Sequence, residues 1–298
     1  MSRSIGLAHI IRQDDGTSVG VWGAFMLKSA FQPIFDFDHG KVRIIAFEGL
    51  IRPFRGGEAL SPGSFFGLLP PADRLHVETL SRTLHLLNAG AVLDPAFIFV
   101  NFDPSLFVEH AVVEAQLRDM RLVLHEAGID PRRIVCEVTE QKSGSAAALG
   151  AFVHALRMHR FRIAVDDYGA HDSDAERVRA LKPDIVKFDA QWITRLMESG
   201  PGFALLSAMV SSFAEQGIET VFEGIEESWQ LELAERSGAS MVQGYALARP
   251  EIAPTSFVQF RQREGGGSAA TNAAADVKAG EGMHRPHART FGRRTTRP

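Results

Sequence analysis

Short apolar runs, rich in β-branched and aromatic residues, recur along the chain from residue 31 to residue 247. Runs of this kind, bounded by turn-forming residues, predict buried β-strands. The chain contains eight of them: Phe31–Phe37, Ala46–Arg52, Phe97–Phe102, Arg133–Thr139, Arg162–Asp166, Ile185–Phe188, Glu219–Glu223 and Met241–Leu247.

Helical patterns separate most of these strands. Apolar side chains recur at three-to-four-residue spacing in the stretches 149–156 and 205–213, and a third apolar patch covers 229–234. A further helix is expected after Asp103, which can cap it, with Pro104 at its first position. Helix ends are expected at three glycines that each precede a strand: Gly128, Gly217 and Gly238.

Eight strands that alternate with helices over about 220 residues predict a TIM-like (β/α)₈ barrel of the α/β class. The first two strands are separated only by a turn, residues 37–40, so we expect this atypical pair to be antiparallel. The predicted domains are a short N-terminal lead-in (1–23), the barrel (24–262) and a disordered, basic Gly/Ala/Arg-rich tail (263–298).

Composition and charge narrow the function. Hydrophobic residues make up 45% of the 298 residues and charged residues 23%, which suits a folded core. The net charge is −4; residues 265–298 hold six Lys or Arg and two Asp or Glu, so this tail carries +4 and the preceding chain −8. An acidic body favours a site for cations, and no DNA or RNA partner is expected.

Other features exclude further classes. No apolar stretch approaches the roughly 20 residues of a membrane span, and the N-terminus has no signal-peptide pattern, so we expect a cytoplasmic protein. The single cysteine, Cys136, excludes an internal disulfide framework and a multi-thiolate metal site.

The stretch R-I-A-V-D-D-Y-G, residues 162–169, carries the strongest chemical signal. A buried strand ends there in two adjacent carboxylates, Asp166 and Asp167. Neighbouring carboxylates repel unless one takes up a proton or a bound cation compensates them. A solvated Asx-type turn is the alternative.

Polar residues also stand at or near the ends of other predicted strands: Glu48, Asn101, Glu137, Lys187, Glu223 and Gln243. The C-terminal strand ends of a (β/α)₈ barrel converge on the face that carries the active site. An oxygen-only ligand set selects hard cations such as Mg²⁺, Mn²⁺ or Ca²⁺, and two such ions suit in-line phosphoester hydrolysis. Lys187 could orient the attacking water or stabilise phosphate charge, or it could form a salt bridge that merely neutralises the acids.

These residues lie in motifs that follow one another in order. They read F-Q-P-I-F-D (31–36), E-G-L-I-R (48–52), V-N-F (100–102), C-E-V-T-E (136–140), D-D-Y-G (166–169), P-D-I-V-K-F-D (183–189), F-E-G-I-E (222–226) and Q-G-Y-A-L-A-R-P (243–250). The chain thereby resembles the EAL-domain family of cyclic di-GMP phosphodiesterases, whose signature is E-A-L-x-R. The resemblance implies hydrolysis of this bacterial second messenger to linear pGpG, with two Mg²⁺ or Mn²⁺ ions as cofactors.

The resemblance also implies roles for individual residues. The implied metal ligands are Glu48, Asn101, Glu137, Asp166, Asp167 and Glu223, with Asp166 bridging the two ions. The implied catalytic groups are Lys187, which would assist the attacking water, together with Glu48 and Glu223. The implied substrate contacts are Gln32, Arg52, Asp189 and Gln243; Arg52 would clamp a phosphate, and Gln243 would also order the site. Glu140 would tether the loop that follows the Asp-Asp pair.

The chain departs from the family pattern at several positions. Gly49 replaces the signature alanine, which changes backbone freedom but no chemistry, and Pro53 stands where a tryptophan is common. The loop pattern D-D-F-G-T-G-Y-S-S-L is here D-D-Y-G-A-H-D-S-D-A (166–175). In the family this loop links the metal site to the dimer interface, so residues 170–174 leave turnover and dimer coupling open. His171 within it is expected to face solvent.

Three functions therefore remain open. The first is a catalytically competent cyclic di-GMP phosphodiesterase. The second is a weakly active or inactive EAL-type barrel that acts as a cyclic di-GMP receptor or a protein-interaction module. The third is another metal-dependent barrel enzyme that cleaves a different phosphodiester. A homodimer and a regulatory protein partner are further expectations, because residues 1–23 are too short for a sensory domain.

Overall fold

The computed structural model describes residues 9–93, 96–106, 109–138, 146–170 and 174–257. Within these ranges the strands are β1 (Ile10–Arg12), β2 (Ser18–Trp22), β3 (Phe25–Asp38), β4 (Lys41–Arg55), β5 (Glu58–Ala59), β6 (Phe97–Phe102), β7 (Ile134–Val138), β8 (Arg162–Tyr168), β9 (Ile185–Phe188), β10 (Glu219–Phe222), β11 (Met241–Val242) and β12 (Glu251–Ile252). Eight of them close into a barrel in the order β3, β4, β6, β7, β8, β9, β10, β11 and back to β3.

The predicted barrel with an antiparallel first strand pair is confirmed. Successive barrel strands from β4 to β11 are parallel. β3 is antiparallel to both of its barrel neighbours. The β3–β4 connection is a two-residue turn at His39 and Gly40, which both adopt positive φ angles (51° and 78°). Such turns match the twist of a hairpin, and so the local sequence specifies this connection.

The helices of the described residues are α1 (Pro62–Gly67), α2 (Arg74–Val92), α3 (His110–Ala127), α4 (Ala146–Met158), α5 (Asp174–Leu181), α6 (Ala190–Met197), α7 (Gly200–Glu215) and α8 (Ser228–Ser237), with short 3₁₀ helices at Pro71–Asp73, Pro104–Leu106 and Pro131–Arg133. The predicted helical stretches coincide with α4, α7 and α8. The predicted ends at Gly128 and Gly238 are confirmed, because both glycines adopt left-handed φ angles and cap α3 and α8.

Several predicted boundaries are wrong. β3 and β4 extend beyond the predicted 31–37 and 46–52, because they pair with each other along their whole length. The described residues directly after Asp103, Pro104–Leu106, form a 3₁₀ turn in which Asp103 Oδ1 accepts a bond from the Ser105 backbone N–H (2.9 Å), and α3 begins at His110. The last barrel strand ends at Val242 instead of Leu247. It ends early because Gly244 packs against the backbone of Ile225, where a Cβ would lie 2.1 Å from the carbonyl oxygen.

Residues 10–22 form strands β1 and β2, whereas the sequence patterning indicates only a lead-in. β1 pairs with β2, and β2 pairs with the start of β3, both in antiparallel orientation. Strands of three and five residues offer too few alternations to be recognised from the sequence. Asn88 of α2 anchors β2, because its side chain accepts from the Ser18 backbone N–H (2.6 Å) and donates to the Ser18 carbonyl (3.0 Å).

The lower part of the barrel interior is a single apolar layer to which each barrel strand contributes one buried side chain. Its members are Ile34, Ala46, Phe99, Val135, Ala164, Ile185, Val221 and Met241. A larger apolar cluster packs the outer helices onto the strands. The interior below the mouth is therefore a packed core, as in other (β/α)₈ barrels, and a ligand can meet only the strand ends above this layer.

Candidate active site

The barrel presents a polar or charged side chain from every strand one layer above the apolar one. Side chains two residues apart on a strand point to the same face, so the positions two residues nearer the mouth also face the barrel axis. These positions form what we call the polar ring: Gln32, Glu48, Asn101, Glu137, Asp166, Lys187, Glu223 and Gln243. The member on β3 precedes its apolar counterpart in sequence because β3 runs in the opposite direction. The strand-end residues predicted from the sequence are therefore brought together.

Lys187 is the centre of the polar ring. Its Nζ lies 2.5 Å from Glu137 Oε1, 2.6 Å from Glu223 Oε1, 3.1 Å from Asp166 Oδ1 and 3.8 Å from Glu48 Oε2. The side chains of Lys187 and Glu137 are 1% and 0% exposed. Four carboxylates thus surround a single ammonium group at the bottom of the mouth.

This crowding perturbs the ionisation of the ring. Burial raises the pKa of Glu137 well above its usual value, and Glu48 and Asp166 raise it further against the effect of Lys187. Burial also raises the pKa of Glu223 to about 8. Burial would lower the pKa of Lys187, but the field of the carboxylates outweighs it and holds that pKa well above the ordinary value. The carboxylates are therefore too crowded for Lys187 alone to balance, and they favour taking up protons or binding a cation.

A β-bulge brings two consecutive carboxylates to the mouth. Adjacent strand residues normally face opposite sides of a sheet. The pairing of β8 with β9 shifts register between Val165 and Tyr168, and Asp167 adopts a left-handed φ of 56°. Such strain in a residue other than glycine is typical of functional sites. As a result, carboxylate oxygens of Asp166, Asp167 and Glu223 all lie within 4.8 Å of one another.

The polar ring fits divalent cations. Both side-chain oxygens of Glu137 and Oδ1 of Asp166 are buried and have no hydrogen-bond partner among the described residues, although Lys187 lies close to two of them. Buried carboxylates in this state are costly unless they are paired or coordinate a metal. Clustered carboxylate and amide oxygens are the donors that Mg²⁺, Mn²⁺ and Ca²⁺ prefer. The chemistry of the donors, rather than any one distance, supports the predicted ligand set.

Two of the predicted metal ligands are tied to the rest of the ring in different ways. Glu48 Oε2 accepts a hydrogen bond from Gln243 Nε2 at 2.9 Å, which fixes its orientation. Asn101 is exposed and lies beside Glu137 in the register of β6 and β7. Asn101 is thus placed at the open rim, where its side chain is accessible to an ion or a substrate.

The predicted substrate residues surround the ring. Gln32 lies opposite Glu48 in the β3–β4 pair and donates to the Ala248 carbonyl (3.3 Å). Burial lowers the pKa of the Arg52 guanidinium, an effect that Tyr245 and Glu48 oppose, so Arg52 lies beside the ring in a partly buried position.

Asp189 has a structural role in the described state. Its Oδ1 accepts from the Trp192 backbone N–H at 2.8 Å and caps α6. Its carboxylate is also close enough to Asp167 to raise the pKa of that residue, after burial and Asp166. Asp189 therefore borders the site, and its predicted contact with substrate stays a prediction.

Two residues near the site escaped the sequence analysis. Tyr245 is exposed at the mouth, and its ring contacts the Arg249 guanidinium at 4.4 Å. Arg177 of α5 donates to the carbonyls of Val138 and Asp166, at the ends of β7 and β8. Tyr245 lies inside the Q-G-Y motif and could have been found there, whereas no motif marks Arg177.

Several sequence predictions lie outside the described residues. These are Glu140 as the loop tether, the central loop residues His171 and Asp172, and the tail from residue 263. None of the helices in the described part of the chain combines the length and apolar character that crossing a bilayer requires.

Comparison with protein families gives a match to the EAL domain over residues 25–250. The chain is 31% identical to the EAL-domain-containing protein YkuI of Bacillus subtilis over 229 residues, which is 74% of this chain and 54% of YkuI. It is 27% identical to the cyclic di-GMP phosphodiesterase RocR of Pseudomonas aeruginosa over 202 residues, which is 62% of this chain and 50% of RocR. The chain thus spans about half the length of these relatives.

Solved structures resemble this one as well. YkuI in complex with cyclic di-GMP and calcium superposes with a TM-score of 0.65 at 26% identity. BlrP1 of Klebsiella pneumoniae in a complex with manganese and cyclic di-GMP gives 0.65 at 27% identity. Each comparison covers 76% of this chain and 56% of the other. The barrel described above is therefore the fold of these EAL-domain structures as well.

Proposed function

We propose that this protein, which belongs to the EAL-domain family, is a metal-dependent phosphodiesterase that hydrolyses cyclic di-GMP to linear pGpG. The observation that carries the proposal is the composition of the polar ring. Each strand supplies the residue type that the family resemblance requires, and the ring holds more carboxylates than Lys187 can neutralise. Relatives that bind cyclic di-GMP with calcium or manganese support the choice of substrate.

The residues of the ring divide into two sets of ligands under this proposal. Glu48, Asn101, Glu137 and Asp166 would hold the first ion, and Asp166, Asp167 and Glu223 would hold the second. Bound divalent ions supply positive charge to the phosphodiester and make an attacking water more acidic. The ion identity expected from the sequence, Mg²⁺ or Mn²⁺, is part of the proposal.

Protein groups complete the chemistry. Lys187 keeps its proton at neutral pH, because its pKa is raised, and it can orient the attacking water or stabilise charge on the phosphate. The guanidinium of Arg52 can clamp a phosphate through two N–H groups. Gln32, Asp189 and Gln243 are the proposed remaining substrate contacts, and Gln243 already holds Glu48 in place.

A receptor without useful turnover is the second candidate function. One observation favours it: the altered loop, residues 170–174, which the family links to the dimer interface. Homodimer formation, a regulatory partner and a cytoplasmic location stay predictions.

The decisive experiment incubates the purified chain with cyclic di-GMP and either Mg²⁺ or Mn²⁺, and follows the products by chromatography. Metal-dependent formation of pGpG, abolished by a chelator, is the expected result. A parallel binding titration separates the candidates. Binding without product would support the receptor. If other phosphodiesters are supplied and only one of them yields product, the enzyme has another substrate. The absence of both binding and product would refute both functions.

A further inference from the structure

His85 of α2 occupies the space where the EAL signature normally places a methyl group. A Cβ on Gly49 would lie 2.9 Å from Cγ, 3.1 Å from Cβ and 3.2 Å from Cδ2 of His85. These atoms form the base of the histidine side chain, which cannot swing away while α2 keeps its position. Carbon atoms at such distances repel each other strongly, so the glycine and the histidine depend on each other.

The histidine ring is held rigidly. Its side chain is buried, and Nδ1 lies 2.9 Å from Ser29 Oγ on β3. The same hydroxyl interacts with Asn88 Nδ2 at 3.1 Å. The ring also meets Phe31 edge-on, with ring centroids 6.3 Å apart. A ring that is held by a hydrogen bond and an aromatic contact is a firm support for the strand segment that packs against it.

The His85 side chain packs against the back of the β4 segment that carries site residues. Side chains alternate along β4, so Gly49 and Ile51 face α2 while Glu48 and Arg52 face the barrel mouth. A side chain that displaces the back of a strand also displaces the residues on its front, because close-packed interiors transmit strain. The depth of β4 against α2 therefore decides how far Glu48 and Arg52 reach into the mouth.

We propose that His85 is a positioning residue, which supports the back of β4 at Gly49 and thereby places Glu48 for metal binding and Arg52 for phosphate binding. The inference rests on the proposed function. It carries a consequence that opposes intuition: restoring the signature alanine at Gly49 weakens the site. The same alanine becomes acceptable once the histidine ring is removed.

The test is a double-mutant cycle of Gly49→Ala, His85→Ala and the double variant, with His85→Asn as the conservative variant. Asparagine keeps the base of the side chain and a polar atom that can reach Ser29. Gly150→Ala is the matched control, since nothing lies within 4 Å of a Cβ at that exposed position of α4. Circular dichroism identifies a temperature at which each variant is folded.

Two titrations at that temperature measure the site directly: Mn²⁺ alone, and cyclic di-GMP in the presence of Ca²⁺. We expect Gly49→Ala and His85→Ala each to weaken one or both affinities about 10- to 100-fold, the range seen when a group that orients a ligand is lost. The double variant should recover most of the loss. His85→Asn and Gly150→Ala should bind as the wild type does.

Several results would overturn the inference. One is wild-type affinity in folded Gly49→Ala and His85→Ala proteins, and another is losses that simply add in the double variant. If Gly49→Ala fails to fold, His85→Ala with unchanged affinity decides against the inference on its own. A wild type that binds Mn²⁺ but no cyclic di-GMP contradicts the proposed substrate only, and the Mn²⁺ titrations then judge His85. Binding of neither ligand refutes both proposals.

Discussion

The polar ring and a second buried polar group on the other side of β4 differ in how their polar atoms are satisfied. The second group, the His85 cluster, consists of Ser18, Ser29, His85 and Asn88. Hydrogen bonds of 2.6 to 3.1 Å join the side chains of Ser29, His85 and Asn88 to one another and to the backbone of Ser18. In the polar ring, four carboxylates share one ammonium, and the buried Oε2 of Glu137 lacks a hydrogen-bond partner among the described residues.

The difference separates stability from function. A satisfied network of neutral groups rigidifies the structure around it. A cluster of like charges destabilises the fold and persists where a ligand compensates it. Only β4 separates the polar ring from the His85 cluster, so the rigid His85 cluster can support the ring residues that β4 carries.

The largest expected effect is on catalysis, and it tests whether the polar ring is the active site. Glu48→Ala should reduce hydrolysis of cyclic di-GMP by about 10³-fold, the scale for losing one preorganised charged or hydrogen-bonding group from an active site. The assay is the rate of pGpG formation with saturating Mn²⁺. Glu232→Ala, at an exposed glutamate on α8, is the control and should retain full activity. Substantial hydrolysis by Glu48→Ala would remove that residue from the metal site.

The next effect tests the His85 cluster as a source of stability. Asn88→Ala should lower the free energy of unfolding by about 3 kcal/mol, because it leaves the buried Ser18 backbone groups without their partner. Urea denaturation measures the loss. Gln216→Ala, at the exposed C-cap of α7, should change stability by less than about 0.5 kcal/mol. Equal losses in the two variants would contradict the assigned role of Asn88.

Metal binding should stabilise the fold through the ring. At free Mn²⁺ about 100 times its dissociation constant, a single site raises the free energy of unfolding by about 2.7 kcal/mol. Thermal denaturation with and without chelator measures the difference. Asp166→Ala should abolish most of it, because this residue is shared by both proposed ion sites. An undiminished metal effect in that variant would place the ions elsewhere.

Acid should destabilise the protein through His85. Burial, and then Arg52 and Arg82, lower the pKa of His85 to about 3 in the folded protein, against an ordinary value of 6.5. The unfolded chain therefore binds the extra proton between these values, and stability falls as the pH drops from 6.5 towards 3, by up to about 1.4 kcal/mol per pH unit. Above pH 6.5 the histidine contributes no dependence. His85→Asn should show a flatter profile in urea denaturation across this window, and parallel profiles would contradict the assignment.

The smallest effect has the opposite sign. Glu137→Gln should raise the free energy of unfolding by about 1 kcal/mol in chelator, because it removes one of the carboxylates that share Lys187. Activity should be lost at the same time. Lys187→Met is the counterpart and should destabilise the protein, since it leaves the acids uncompensated. A lower free energy of unfolding in Glu137→Gln would show that the charges of the ring are balanced without a metal ion.

Much of the fold could be predicted from local patterns. The runs at 97–102 and 185–188 were recognisable to the residue, because a buried strand is a short continuous apolar run. The early end of β11 was not recognisable, because it depends on the packing of Gly244 against the backbone of Ile225, a contact that no local pattern reveals. Strands β1 and β2 were missed because they are short, and because the anchor of β2, Asn88, lies about 70 residues away in sequence.

The sequence by itself determined which residue types stand near the strand ends and the order of the motifs that contain them. It therefore determined the family, the barrel and the oxygen-rich side chains that are the proposed ligand set. Only the tertiary structure decided that these residues lie in one ring two positions above an apolar layer, and that a bulge turns Asp166 and Asp167 to the same side. It also decided that Gly49 is tied to His85, because their contact joins residues that no local pattern connects.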